Sequence, residues 1–505
     1  MVELSESKAP IKFRSDLAAH TKLLYFALFF ALAALPSCTP RMEYVQSPAD
    51  LPGTFSSTGA EDVPDRWWTA LGDSQLNRLV DQALMDNFSL RSAWDRLEQA
   101  RAVAAKSASP LWPSADGSAG LSRTVRKSAG APRLYSTEYS LGLTISYEVD
   151  LWGRVRSSHE AARLDVEATR QDLHSAAITL VAELAETWNK LIEQRGQLRL
   201  LDNQIKTNED YLQIITLKFR RGQTSATDVL QQRQLVESTR GERVLVESSI
   251  NVLDSQLSIL LGQSPGKPTG NVPAKLPSLP PLPRTGLPAE LVRRRPDVQA
   301  AELRVQAADR RLYTAIAEQF PKLDLTVATE TTAERIRDLF DNWMASLAAN
   351  LVAPIFDAGQ RRAEVSRSRS VVSEQLNDYA QVVLNCLKEV EDALSKEAKQ
   401  ARYTDSLGRQ LRLAEQSTAQ TLANYTKGTM DFTRYLTTLL SYQRLQRTHL
   451  QAQKDLVLLR IGLYRALAGS WTLSAPPEAS IRTPPAAPQT QQLDGPRYLS
   501  GSSKS

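Results

Sequence analysis

The sequence predicts a mainly α-helical chain that adds a few β-strands to a transmembrane barrel. Three observations carry this prediction. Two long intervals lack proline, Pro132 to Pro265 and Pro354 to Pro476. Proline breaks helix interiors, so these are the stretches where long helices can form. Ahead of each long helix lie segments that alternate apolar and polar residues, the period of a strand. Landmarks in the two intervals also recur at one fixed spacing, as a duplicated unit requires.

The spacing is 206 residues. It separates Gly153, in DLWGRVR, from Gly359, in FDAGQRR, and Gly222 from Gly428. Glu183 and Glu186 match Glu389 and Asp392 at the same offset. Each half opens on a helix, Ser74 to Ser109 in the first and Pro288 to Gln319 in the second, stopped by Pro113 or Pro321. Strands follow. Tyr139, Leu141, Leu143, Ile145, Tyr147 and Val149 share one face, with Ser140, Gly142, Thr144, Ser146 and Glu148 on the other. Leu323, Leu325 and Val327 alternate in the same way, and Trp343, Leu347 and Leu351 share a face. Ala115 to Arg123 is a weakly patterned first strand.

A long helix follows each strand pair. Leu173, Ala177, Leu180, Leu184, Trp188 and Leu191 repeat at spacings of three and four, as do Val372, Leu376, Tyr379, Val383, Leu387, Val390 and Leu394. A helix filling the interval from Gly153 to Gly222 would be about 100 Å long at ~1.5 Å per residue. Such a helix needs coiled-coil partners along its seam. Gly153 and Gly359 sit where strand must swivel into helix, and Gly222 and Gly428 where a left-handed cap would end one helix and turn the chain back. Return helices are marked by Val246, Ile250, Leu253, Leu257 and Leu260, and by Leu456, Leu459 and Leu463.

The N-terminus reads as a targeting segment. Lys8, Lys12, Arg14 and Lys22 precede an apolar run, Leu23 to Leu35, too short to span a bilayer comfortably. It stops at Leu35-Pro36-Ser37-Cys38, which resembles a bacterial lipoprotein box with Cys38 as the lipid acceptor. Thr39 rather than Asp follows it, which by the rule for that class implies sorting to the outer membrane. The expected organisation is a signal peptide (1–37), a lipidated extended segment (38–66), a first repeat (67–264), a Pro-rich linker (265–287), a second repeat (288–471) and a tail (472–505) without regular structure.

Composition narrows the function. The chain has 505 residues, 42% hydrophobic and 23% charged, which fits neither a disordered chain nor a bundle of membrane helices. Its net charge of +5 is small and its arginines are spread along helices, so nucleic acid is not an expected partner. The four histidines are scattered and no nucleophile motif, phosphate loop or metal spacing occurs, so neither an enzyme nor a metal or cofactor is expected beyond the lipid on Cys38. The other cysteine, Cys386, reads as a small buried residue. With no further apolar run of spanning length, membrane insertion must use strands. Four strands cannot close alone; three chains would supply twelve, with the polar face lining water and the apolar face meeting lipid. The same three chains would give the long helices their partners. A lipid-anchored coiled-coil scaffold without a pore remains the structural alternative.

Five stretches resemble the TolC/OprM/NodT outer-membrane efflux family, in its lipoprotein branch: WWTALGDSQLNRLVDQAL, EVDLWGRVRSS, GLPAELVRRRPDVQAAELRVQAADRR, APIFDAGQRRAEV and LYRALAGSW. They run from about Trp67 to Trp471. The resemblance implies a homotrimer with a twelve-stranded barrel and a long periplasmic coiled-coil helical tunnel. It implies docking to a periplasmic adaptor protein and an inner-membrane pump of the RND type, and export of drugs, metals or other small toxic compounds. An outer-membrane component for protein secretion is the neighbouring alternative. By the same resemblance, the adaptor would meet the hairpin tips at Phe219, Arg221 and Gly222 and at Tyr425, Lys427 and Gly428. Some members carry a ring of aspartates just past the second tip. Here the positions six and nine after the glycine are Arg434 and Thr437, which leaves Asp431 as the nearby acid. Asp228 and Arg434 occupy equivalent places in the two halves, so either an Asp228–Arg434 contact, within or between subunits, closes the periplasmic aperture, or the two are independent solvated charges at the tips.

Overall fold

The structure is a computed structural model and describes residues 50–266, 272–469 and 471–474. Cys38 and its neighbours Leu35, Ser37 and Thr39 lie outside the described residues, with the targeting segment, part of the linker and most of the tail. The chain divides into two compact units. A sheet unit takes residues 104–163 and 305–374; a helical unit takes residues 50–103, 164–304 and 375–474.

The elements follow in two matching runs. The first is α1 (Ser74–Asp86), α2 (Phe88–Ala108), β1 (Ser114–Arg126), β2 (Leu134–Val149), α3 (Arg154–Arg220) and α4 (Ala226–Leu260). The second is α5 (Pro288–Arg294), α6 (Pro296–Ala317), β3 (Lys322–Ala333), β4 (Trp343–Val352), α7 (Gln360–Thr426) and α8 (Phe432–Leu467). Each long helix, α3 and α7, has 67 residues. Among the described residues, no helix is long and apolar enough to cross a membrane.

The opening helix of each half is broken, contrary to the single helices expected from Ser74 to Ser109 and Pro288 to Gln319. In the first half Asn87 is extended, its Oδ1 accepts from the Leu90 amide at 3.0 Å to start α2, and its Nδ2 donates to the Leu260 carbonyl at 3.0 Å. In the second half Pro296 excludes the helical conformation at Arg295, so α5 stops there. Arg295 then forks onto Asp297, with bonds of 2.9 and 2.6 Å, and reaches Glu389 at 2.8 Å. Cys386 beside it is buried as expected, and burial pushes its thiol up to about 11.

Polar residues thread the core of the helical unit. Asn208 on α3 and Gln443 on α8 bond to each other, Asn208 also donates to Thr239 on α4, and Gln232 on α4 donates to the Asn208 carbonyl at 2.7 Å. A buried polar layer of this kind is stable in one register only, because a slipped helix would strand its amides unpaired. The Pro-rich linker is clamped to the same unit. Arg460 pairs with Glu397 and donates to the Pro280 and Pro281 carbonyls, with both charged side chains under 10% exposed. The segment before the first repeat runs beside the linker, joined by the Glu61–Pro283 bridge.

Candidate channel wall and hairpin tips

The four strands form one antiparallel sheet in the order β1-β2-β3-β4, leaving β1 and β4 as edges. Every pairing joins residues of the same parity, even to even or odd to odd, so each face of the sheet has one parity. The odd face is apolar. Ile145 stands between Ala115 and Val327, which faces Leu347; Val149 faces Leu323, which faces Leu351. Leu141, Leu143, Ile145, Val327, Leu347 and Leu351 are all exposed in the single chain. The even face is polar. Ser114, Ser146 and Thr326 form one row, Asp116 and Thr144 begin another, and Glu148, Asp324 and Asn350 form a third. Such a sheet has no core side: one face wants hydrocarbon and the other wants water. The weak pattern of β1 now has a cause, because its odd face starts with the small residues Ala115, Gly117 and Ala119.

At the strand-to-helix turns Gly153 has φ +73° and Gly359 φ +88°, both left-handed. Asp150 caps the start of α3, accepting from the amides of Val155 and Arg156 at 3.0 and 2.9 Å. Trp152 stacks on Phe320 at 4.9 Å and donates its indole N–H to the Pro321 carbonyl at 2.7 Å.

The two hairpin tips lie in the helical unit. Gly222 (φ +74°) and Gly428 (φ +77°) end α3 and α7 in the same left-handed cap. The next amide, of Gln223 or Thr429, donates back five residues to Lys218 or Asn424. Phe219, Arg221 and Lys427 are exposed around these turns, and Tyr425 is half-buried. Beneath them lies an apolar cluster of Ile215, Phe432, Tyr435, Leu436 and Leu439, joined by Tyr211 and Tyr425. Tyr435 is 1% exposed and lies 5.2 Å from Tyr211. The Lys218 ammonium sits 4.1 Å above the Tyr425 ring. This aromatic tie between the first and second hairpins was missed from sequence. The spacing 432, 435, 436, 439 was its available signal, the apolar stripe of a buried helix face.

The expected Asp228–Arg434 contact does not form within the chain. Asp228 belongs to a capping box at the start of α4: its carboxylate accepts from the Ser225 amide at 3.1 Å and the Thr224 hydroxyl at 2.5 Å, and its own amide donates to the Ser225 hydroxyl at 3.2 Å. Burial pushes its carboxyl up, but these hydrogen bonds outweigh burial and hold it below the ordinary carboxylate range. Asp431 is the cap residue of α8, yet its side chain makes no capping bond. Arg434 and Thr437 are exposed on the first turns of α8, and among the described residues no ion pair engages Arg434.

Comparison with known proteins settles what the wall belongs to. The model of the family described as outer membrane efflux protein matches residues 79–263 and 287–469, one stretch in each repeat. The chain belongs to this family. It is similar to the pyoverdine export outer membrane protein OpmQ of Pseudomonas aeruginosa, with 31% identity over 435 residues, 83% of this chain and 90% of the relative. The probable outer membrane lipoprotein SilC of Salmonella typhimurium is 26% identical over 466 residues, 89% of this chain and 99% of SilC. Among solved structures, the outer-membrane channel OprN superimposes with a TM-score of 0.79 at 27% identity, covering 86% of this chain and all of OprN. As a member of the family, this chain is an efflux channel subunit of the outer membrane, and its sheet is its portion of a β-barrel wall.

Proposed function

We propose that three copies of the chain close a twelve-stranded barrel and form a passive conduit of a tripartite efflux pump. One observation carries the reading: the sheet has an apolar and a polar face, and its edges, β1 and β4, are unpaired among the described residues. An open edge in lipid leaves backbone groups without partners, each costing several kcal/mol, so the edges must pair with further copies. The tips around Gly222 and Gly428 then present Phe219, Arg221, Tyr425 and Lys427 to a periplasmic adaptor, which links them to an inner-membrane pump of the RND type. Cys38 carries the lipid anchor, in keeping with the lipoprotein SilC. The cargo is small toxic compounds or drugs, or a compound of the kind named for OpmQ, pyoverdine.

The test is direct. Full-length protein purified from outer membranes should run as a heat-labile trimer and give stepwise conductance in planar bilayers. A monomer that never conducts would end the reading. Palmitate labelling should be lost in Cys38→Ala. Charge reversal at Arg221 and Lys427 should abolish adaptor capture while leaving the trimer band in place.

A further inference from the structure

The odd, apolar face of the sheet carries a single charge. Its odd-numbered residues on β2, β3 and β4 are all uncharged, and on β1 only Arg123 is ionisable as a cation. Its place along the strand is informative. The unbroken apolar band runs from the row Val149–Leu323–Leu351 to the row Leu121–Tyr139–Ala333, and past Arg123 the outermost row, Val125–Tyr135, is apolar again. The two ends of the unbroken band are ten residues apart on β2, roughly 33 Å along the strand at ~3.3 Å per residue. At the tilt of about 40° usual for barrels the band is about 25 Å tall, the height of the apolar girdle of outer-membrane proteins. Arg123 pairs with Thr137, one row of the same face beyond that edge. An arginine facing lipid costs about 2–4 kcal/mol at the midplane but close to nothing at the headgroups. Arg123 therefore stands where phosphates are.

This end of the sheet is the outer one. The helices leave and rejoin the strands at the opposite end, after Val149 and before Lys322, and in this family they extend into the periplasm. Around Arg123 the β1–β2 hairpin is basic: Arg126, Lys127 and Arg133 join it between residues 123 and 138, against one acid, Glu138. The Arg123 guanidinium lies 5.8 Å from the Tyr135 ring centroid, and Tyr135 is exposed on the same face. An aromatic ring with a cation over it, at the rim of an apolar band, is the arrangement that holds an acyl chain below and an anionic headgroup above.

We propose that Arg123 and Tyr135 on the outward face, with Lys127 and Arg133 of the adjoining turn, form a binding site for the phosphates of an outer-leaflet glycolipid. Three cations, Arg123, Lys127 and Arg133, suit a headgroup bearing two phosphates. A zwitterionic phospholipid would bring its own ammonium against them. The site needs only the barrel wall, and it stands whether or not the pump partners above are as proposed.

Native mass spectrometry of the purified full-length channel, titrated with bis-phosphorylated lipid A, tests it. Wild type should retain the lipid, and Arg123→Gln should weaken retention by about tenfold, the scale of one charge-assisted hydrogen bond. Arg123→Lys should keep most of it. Arg284→Gln, at an exposed arginine of the helical unit, should change nothing. Unaltered conductance in Arg123→Gln would show that the barrel is intact. Equal retention by wild type and Arg123→Gln would overturn the proposal. So would phosphatidylglycerol or phosphatidylethanolamine binding as tightly as lipid A.

Discussion

The two hairpin tips share a backbone and differ in how their return helices begin. Both turns use a left-handed glycine and the same five-residue backbone bond, at 2.9 Å for Gln223 to Lys218 and 3.0 Å for Thr429 to Asn424. Past the turn the copies diverge. In α4 the cap is Ser225 with Asp228 three residues on, both bonds of the box are made, and the Thr224 hydroxyl adds a third to the Asp228 carboxylate. In α8 the equivalent places hold Asp431 and Arg434; the cap side chain makes no bond, and a cation sits in the first turn. A cation there opposes the positive end of the helix dipole. The first tip is thus a finished helix start. The second is an unfinished one, held down mainly by the aromatic cluster below it. Of the two tips, the second is therefore the more easily loosened.

The largest effect should come from that cluster. Tyr435→Ala removes a fully buried ring from the contact between the hairpins and should cost about 3–5 kcal/mol. If the two tips lean on it unequally, hydrogen exchange should rise more over residues 432–440 than over 226–234. An equal rise at both tips would erase the distinction. Next in size are the cap substitutions. Ser225→Ala should cost about 1 kcal/mol. Asp431→Ala, at the matching place, should cost at most about 0.5 kcal/mol, because only its charge near the dipole is lost. A chemical-denaturation series that gave equal losses would show the second cap to be as complete as the first.

How much of this was legible depends on the range of the cause. The glycines at 153, 222, 359 and 428 answer to local backbone geometry, and β2 and β3 to their own alternation, so both could be read directly. The break at Asn87 is only half local: its side chain caps α2 through the Leu90 amide, but it is also tied to the Leu260 carbonyl, 173 residues away, which its sequence neighbours do not show. Lys218 over Tyr425 joins two different hairpins and is equally silent. Asp228 is the opposite case. Its role was written locally, as a serine followed three residues later by an acid. Aligning the repeats drew attention to Arg434 instead, and a long-range pair was inferred where a short-range cap had the stronger claim. Membership of the family could be read because its motifs are contiguous runs. The basic rim at Arg123 emerged only when register showed which face each residue shares.

A smaller effect should follow from repairing the second tip. Arg434→Glu places an acid at the position that Asp228 holds in α4. It should stabilise the start of α8 by about 0.5–1 kcal/mol, from the dipole and a restored capping bond. Single-channel open probability should fall. An unchanged open probability with lowered exchange would separate the fraying of this helix from the gate.

The smallest effect is in pH, and it should appear at one tip only. The Asp228 carboxyl is held below its ordinary value by its hydrogen bonds from Thr224 and Ser225, against the opposing pull of burial. A carboxyl depressed in this way stabilises the fold fully above its unfolded value, about 3.9. That contribution fades as pH falls through the folded value, because the protonated acid no longer accepts both bonds equally well. At the second tip the Asp431 side chain makes no capping bond, so there is no such bond to lose as pH falls. Protection factors over residues 226–232 should therefore fall as pH drops below about 4, relative to those over 432–438, once intrinsic exchange is corrected for. In Asp228→Asn the same segment should be weaker at neutral pH and flat below it. A parallel fall at both tips would mean that acid loosens the bundle as a whole, and that the finished cap of α4 is not what sets the first tip apart.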